Sequence, residues 1–478
     1  MNFNKKLTFA VSGAVLLMAG QIALADSTTD IVDALVSKGV LTEEEGKLIS
    51  KGHETKKKAE GTVTFKDGFK MNSGDGKSNM SINGRVQLDY RKFDAPVSST
   101  VNAKTADTFD IRRAYIGAGG TFKKYYDWKV VANFAEDKTS LSLDEAFVNL
   151  HYWDQVQFQF GQFKMPMSLE ERTSSRFINF TERSYVNNPM FTAAKDQGAM
   201  IHGTIVPGLN YATAVSGGGT QNADEVDAKR DNLEWILHAN ADFADLLNVN
   251  PKEMIIHVGG SYAEQGISGT QAGATQTQRT LGRGMDFFGT TTGIVHGDTI
   301  DRTRYGVEGA LSYGPFKAQG EYAHVNWEGV IAATAATFDQ SAKAYYGDVQ
   351  WLVSGETYKD SYKKGKFDRL TPKRDFDPTT FSGGLWEVSA GYSKFDASDI
   401  TTTSAGFKIG SGNQTNVADT WRVGVKFIPE ANTRILLNFV KTDFDRAVST
   451  AGISSGNATS GINVTSEKAI NMRVQYDF

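Results

Sequence analysis

The stretch from Gly161 to Arg183, GQFKMPMSLEERTSSRFINFTER, brings cations, carboxylates and hydroxyls together in one place. It holds four basic and three acidic side chains, and it follows a run of strand-forming residues. A guanidinium group is planar and donates two parallel hydrogen bonds, which suits phosphate and other oxyanions. The same group can instead pair with a nearby carboxylate and hold a segment of chain in place. The stretch by itself leaves both uses open.

Motifs for catalysis are not found in the sequence. It contains no HExxH, GxSxG or P-loop pattern, its seven histidines are dispersed, and it has no cysteine. Metal and nucleophile sites need such residues at defined spacings. The sequence therefore predicts that the protein is not an enzyme, and we expect no cofactor, no metal and no nucleic-acid partner.

The first residues carry the features of an export signal. Lys5 and Lys6 precede an apolar run over residues 7–20, and Ala23-Leu24-Ala25 has the small residues of a cleavage site. The run is shorter than the roughly 20 residues that span a bilayer. We predict a cleaved signal peptide over residues 1–25. Without cysteines, the exported protein is not held by disulfides.

From about residue 80 onward, apolar and polar residues alternate with a period of two, in segments of about ten residues. Ile82, Val86, Leu88 and Tyr90 share one face of such a segment. Aromatic residues lie near the segment ends, as in the interfacial belts of membrane barrels. They are Tyr90, Tyr152, Trp153, Tyr313, Trp327, Trp386, Tyr392, Trp421 and Tyr476. The last segment ends on Phe478, as bacterial outer-membrane barrels commonly do.

These patterns predict an all-β fold, a closed antiparallel transmembrane barrel of about 16 strands over residues 61–478. A barrel of that size leaves an aqueous lumen. Residues 26–60 have helical spacing instead, with Thr42 and Glu45 arranged as a capping box, and predict a small periplasmic helical segment.

Two polar segments have the composition of surface loops. Residues 266–302 are rich in Gly, Thr and Gln. Residues 357–375, TYKDSYKKGKFDRLTPKRD, carry seven basic and three acidic residues. The second segment could attract anions at the mouth of a pore or bind lipopolysaccharide phosphates, or it could be a solvated loop only.

Four motifs in this order resemble the phosphate-selective porin O and P family: TFDIRRAYIGAGGTF, LDEAFVNL, FGQFKMPMSLEERTSSRFINFTERS and KDQGAMIHG. They lie between Thr108 and Gly203, and the resemblance runs through most of the barrel region. It implies a trimeric porin of sixteen strands in the bacterial outer membrane. It also implies that a constriction loop, about residues 165–195, folds into the lumen after Pro166 ends strand pairing.

The resemblance and the alternation together give candidate residues for contact with anions. They are Arg172, Arg176 and Arg183 on the loop, with Arg85, Arg113 and Lys129 on nearby strands. Alternation favours Arg113 over Arg112 as the inward residue. The arginines can instead pair with carboxylates such as Glu145. Glu171 stands where phosphate-selective members carry a lysine, so a carboxylate at the constriction would repel dianions.

The resulting hypothesis is a passive outer-membrane diffusion channel that prefers small anions such as phosphate. Its expected partners are anionic solutes, lipopolysaccharide and membrane lipid, and the barrel assembly machinery that reads the strand ending in Phe478. Two alternatives stay open. One is a weakly selective general porin, and the other is a surface adhesin or binding β-protein without channel activity.

Overall fold

A computed structural model of the chain describes residues 27–65, 68–94, 105–137, 140–217, 233–268, 276–292, 299–331, 334–409, 414–449 and 462–478. The predicted signal peptide, residues 1–25, lies outside the described residues. The chain divides into two compact units, one made of the N-terminal residues to Phe65 with Lys70–Asn79, and the other made essentially of residues 80–478.

The N-terminal unit contains helices α1 (Ser27–Ser37) and α2 (Glu43–Glu60), followed by a short hairpin of Thr62–Thr64 with Phe69–Asn72. The predicted capping box opens α2. The Glu45 backbone N–H donates to the Thr42 hydroxyl, and the Glu45 carboxylate accepts from the Thr42 backbone N–H. No helix in the described part of the chain is long and apolar enough to cross a membrane.

Sixteen antiparallel strands of the described residues form the closed wall of the second unit, which confirms the predicted fold class. The strands are β1 Asn79–Phe93, β2 Thr108–Phe122, β3 Tyr126–Asp137, β4 Ser140–Leu150, β5 Gln157–Lys164, β6 Lys195–Val206, β7 Leu209–Ser216, β8 Glu234–Asp242, β9 Met254–Ser268, β10 Thr299–Tyr313, β11 Phe316–Ile331, β12 Ala336–Leu352, β13 Leu385–Asp396, β14 Val417–Glu430, β15 Thr433–Ser449 and β16 Asn463–Asp477. The barrel closes where β16 pairs with β1, from Ala469 opposite Phe93 to Asp477 opposite Arg85.

The wall is apolar on its outer face and polar on its inner face, the opposite of a water-soluble protein. On β14, Trp421 is 59% exposed on the outside, whereas the adjacent Arg422 is 2% exposed on the inside. The same alternation runs along β15, where Leu437 and Phe439 face out and Asn438 faces in. An apolar outer band with a polar interior is the pattern of a barrel that spans a bilayer. Trp327 departs from the predicted aromatic belt, because it is buried in the interior against Phe407.

The two ends of the barrel differ in the length of their connections. At one end, which we call the turn end, short turns such as 207–208, 314–315 and 431–432 join the strands, and the chain ends there at Phe478. Most connections at the other end, the loop end, are longer. In bacterial barrels the short turns are periplasmic and the long loops extracellular.

Among the described residues, parts of four connections pack inside the barrel. They are residues 165–194, 276–292 and 397–409 from the loop end, and part of residues 353–384 from the turn end, which is long for a connection at that end. Residues 266–302 are therefore not a surface loop throughout, because Phe287 and Phe288 are fully buried beside Phe395 of the wall. Apolar residues at these points replace water in part of the lumen.

Candidate pore and its constriction

The segment 165–194, which we call the inner loop, leaves the wall at Lys164 and rejoins it at Lys195, and these two residues pair across β5 and β6. Its short helix α3 (Leu169–Arg172) begins against a wall carboxylate. The backbone N–H groups of Leu169 and Glu170 donate to Glu321 of β11 at 3.0 and 2.6 Å. The free N–H groups at a helix N-terminus favour such a negative charge. The wall therefore fixes the position of the inner loop.

Further along, the inner loop contacts the opposite wall. The backbone N–H of Thr181 donates to Asn438 of β15 at 2.7 Å, and the Tyr185 hydroxyl lies 2.7 Å from that of Thr420 on β14. Glu182 is bound by Arg112 at 2.8 Å and by Arg473 at 3.1 Å. Burial alone would raise the pKa of Glu182, but Arg112 and Arg283 outweigh burial and hold that pKa well below its ordinary value.

Glu171 does not face solute, contrary to the expectation that it would repel dianions at the constriction. Its side chain is 5% exposed and is bound by Lys164 at 3.3 Å, by Arg183 at 3.6 Å and by the Asn187 amide. Burial by itself would raise the pKa of Glu171, but Arg183 and Lys164 outweigh it and lower the pKa to about 2. The carboxylate is an internal support of the loop.

Arg183 shares this supporting position. Its guanidinium donates to the backbone carbonyls of Glu170 at 2.9 Å and Thr173 at 2.8 Å, in addition to its ion pair with Glu171. Each of these groups belongs to the inner loop itself. Of the three predicted loop arginines, Arg183 thus holds the loop together and does not line the cavity described next.

A cavity of about 460 Å³ lies between the inner loop, the wall from β3 to β8, and a short hairpin from the turn end. Its charged lining is mostly basic: Lys129, Lys164, Arg172, Arg176, Lys364 and Lys366, with Glu145 and Asp368 as the acidic residues. The structure therefore brings the predicted Arg172, Arg176 and Lys129 together around one space.

Each predicted cation of this cavity has a carboxylate partner. Arg172 binds Glu308 of β10 at 2.6 Å, and Arg176 lies 3.6 Å from Asp477 of β16. Lys129 forms an ion pair with Glu145. Such pairs reduce the positive charge that a solute meets, although the guanidinium of Arg176 keeps part of its surface exposed.

Two predicted strand residues lie beside the main cavity. Arg85 lines a smaller adjoining cavity with Lys195, where its guanidinium stacks 4.3 Å over the Tyr115 ring and donates to Ser175 at 2.9 Å. Arg113 donates to Gln87 at 2.9 Å and is buried. Arg113 thus lies in the interior, and Arg112 also reaches it through its bond to Glu182.

The contribution of the segment 357–375 to the interior was not predicted from its composition. It is not a solvated loop at the mouth. Its strands Tyr362–Lys363 and Lys366–Phe367 form a hairpin, which we call the inner hairpin, and Tyr362 and Phe367 pack in one apolar cluster with Leu169 of the inner loop. The exposed Lys364 and Lys366 line the cavity. Within the described residues, neither lysine forms an ion pair with a carboxylate.

No group of three or more His, Asp or Glu is placed to hold a metal ion in the part of the chain that the structure describes. An apolar outer band, sixteen strands, a charged interior and a loop folded into the lumen together define an outer-membrane porin. A sequence profile of the family described as phosphate-selective porin O and P matches residues 80–478. The chain belongs to this family, and the bacterial outer membrane is its location.

Two similar proteins extend the comparison. Porin O of Pseudomonas aeruginosa is 26% identical over 82% of this chain and 90% of its own length. The solved structure of an anion-selective porin from Comamonas acidovorans is 12% identical, has a TM-score of 0.51, and is matched over 84% of this chain and 100% of its own. The second similarity supports the fold alone.

Proposed function

We propose that the protein is a passive channel for small hydrophilic solutes that prefers anions, phosphate and other oxyanions among them. The observation that carries the proposal is the pair Lys364 and Lys366, two exposed ammonium groups on one cavity of about 460 Å³ inside the barrel. An ammonium group in a narrow, partly dehydrated space attracts anions more strongly than one in open water. Family membership and the lack of catalytic motifs favour a channel over an enzyme.

The preference is expected to be moderate. Arg172, Arg176 and Lys129 each have a carboxylate partner, so three of the lining cations offer less charge to solutes than their number suggests. Weak contacts in series allow an ion to enter and also to leave. A weakly selective general porin is the alternative that the following experiment separates.

The test is the zero-current potential of reconstituted channels across a KCl gradient, repeated with phosphate added. We expect the wild type to favour chloride over potassium and to be blocked by phosphate. The double variant Lys364→Gln with Lys366→Gln should lower the permeability ratio about threefold or more and weaken the block about tenfold. Lys343→Gln, a lysine on the outer face of β12, is the matched control.

An unchanged permeability ratio in the double variant would mean that the lysines of the inner hairpin do not determine the preference for anions. Cation preference in the wild type would favour a general porin, and failure to form channels at all would favour an adhesin or binding protein.

We further propose a homotrimer, tested by electrophoresis with and without heating. We also propose recognition of the terminal strand by the barrel assembly machinery.

The prediction that residues 357–375 bind lipopolysaccharide is wrong in position, because the segment lies at the turn end, with Tyr358, Tyr362 and Phe367 packed inside, whereas the outer leaflet surrounds the loop end. Lipid phosphates would instead meet lysines that project outward near the loop end, such as Lys343, Lys394 and Lys441.

A further inference from the structure

Glu308 of β10 binds three donors with a single oxygen atom. Its Oε1 lies 2.6 Å from the Arg172 guanidinium, 3.0 Å from Nε2 of His238 and 3.1 Å from Nε2 of His257. The side chains of Glu308, His238 and His257 are at most 2% exposed. We call these four residues, with Tyr362, the Glu308 cluster. It joins the inner loop, three elements of the wall and the inner hairpin.

The second ring nitrogen of His257 contacts Tyr362. Nδ1 of His257 lies 2.6 Å from the Tyr362 hydroxyl. A neutral imidazole has one N–H, so an Nε2–H that donates to Glu308 leaves Nδ1 to accept from the tyrosine. Both nitrogens of His257 then have a partner. This histidine holds the hairpin and the wall together.

His238 has a different position in the cluster. It lines the cavity of about 460 Å³, as Arg172 does, so a solute in the cavity lies beside both residues. With both imidazoles neutral, the charges of Arg172 and Glu308 cancel. A proton added to His238 gives the cluster one net positive charge at the cavity wall.

We propose that the Glu308 cluster makes the ion selectivity of the channel depend on pH, with Glu308 as the selectivity-determining residue and His238 as the group that takes up the proton. At neutral pH, Glu308 cancels the charge of Arg172. At mildly acidic pH, the His238 imidazolium competes for Glu308, so the cavity becomes more attractive to anions. An imidazole is the side chain whose charge changes in this range of pH. Burial and the Arg172 guanidinium oppose a charge on His238, whereas Glu308 favours it, so we expect the proton to be taken up towards the acidic end of the range. The inference rests on the proposed function.

Other charged groups face the cluster from each element packed against it. They are Glu170 of the inner loop, Glu321 of β11, Lys366 of the inner hairpin, which lies near Arg172, and Asp242, Asp245 and Lys359 beside Tyr362. Glu170 and Glu321 do not line the cavity; Glu321 accepts from the start of α3 and Glu170 accepts from Ser184. The second imidazole on the cavity is His202, whose Nε2 lies 3.0 Å from an Asn149 oxygen and not from a carboxylate. His202 is therefore the matched control.

The experiment measures the zero-current potential of the full-length channel across a KCl gradient from about pH 7.5 to about pH 5.5. Chloride and potassium do not titrate, so a shift reports on the protein. We expect the chloride preference of the wild type to rise about threefold at the lower pH. His238→Gln should lose most of this rise, whereas His202→Gln should keep it. Glu308→Gln should prefer chloride strongly at both pH values.

Several results would overturn the inference. If the chloride preference of the wild type does not change with pH, or changes equally in His238→Gln, then His238 does not take up the proton that changes selectivity. A shift lost in His202→Gln and kept in His238→Gln assigns the proton to the other imidazole. Absence of any channel would contradict the proposed function itself, and heat-modifiable mobility of each variant identifies those that have not folded.

Discussion

Arg176 and Arg183 lie on the same inner loop, yet their surroundings give them different roles. Arg183 is enclosed by Glu171 and by the carbonyls of Glu170 and Thr173, all of the loop itself. Arg176 has one long ion pair with Asp477 and lines the cavity. Arg183 therefore contributes to stability through several partners within the loop, whereas Asp477 keeps Arg369 and Arg434 as partners without Arg176, so Arg176 contributes mainly to selectivity.

Replacing each arginine by methionine separates the two roles. Arg183→Met leaves a buried carboxylate short of one cation and two carbonyls short of a donor, so we expect a loss of about 3 kcal/mol in the free energy of unfolding. Arg176→Met should cost less than about 1 kcal/mol and lower the chloride preference. Denaturant unfolding in detergent and the zero-current potential measure these effects. Equal losses of stability would contradict the assignment.

Side-chain alternation predicted that Arg85 and Lys129 face inward, because the period of a strand is a local property. It could not predict what lies opposite them. The partners Ser175 and Glu145 come from the inner loop and from the neighbouring strand. The same limit explains Glu171, whose burial depends on Lys164, Arg183 and Asn187.

The inner hairpin is the element that sequence composition described least well. Its lysines and its turn residues resemble those of a solvated loop, and the apolar Tyr358, Tyr362 and Phe367 follow neither a helical nor a strand period. They become a core because Leu169 of the inner loop and Leu385 of the wall lie against them. Such contacts are distant in sequence, so a local pattern cannot predict them.

Replacing residues 362–367 by a flexible glycine and serine segment tests the role of this element. The inner loop would lose its apolar support at Leu169 and the cavity would lose two cations, so we expect a single-channel conductance about twofold higher with weaker chloride preference. The inner loop should also be cut faster by protease. The same replacement of residues 378–382, in an exposed part of the same connection, is the control. Unchanged conductance would contradict a narrowing by the hairpin.

At the scale of the whole molecule, the strands and their approximate number could be predicted because the wall repeats one pattern with a period of two. Closure could be inferred from the terminal strand, since a barrel needs its last strand to pair with its first. The segments that fill the lumen could not be predicted, because composition does not show which of several polar connections fold inward. Buried Phe287 and exposed Phe381 both lie in such connections.

The seam between the first and last strands supplies a test of closure. Phe478 exchanges two backbone hydrogen bonds with Gly84, at 3.0 and 3.1 Å, and its ring covers the glycine so closely that a Cβ there would lie 2.4 Å from the ring. Gly84→Ala must displace the ring, and Phe478→Ala removes it. We expect each change to cost about 1 to 2 kcal/mol.

The double variant should cost less than the sum of the two single changes, because the new methyl group occupies space that the ring has left. The free energy of unfolding is measured in denaturant for the wild type, the two single variants and the double variant, with the fraction of heat-modifiable protein as the readout. If the two losses of stability simply add, the Phe478 ring does not interact with position 84 and does not stabilise the pairing of β1 with β16. Coupling would show that the terminal residue stabilises the finished barrel, a contribution separate from any recognition of the terminal strand during assembly.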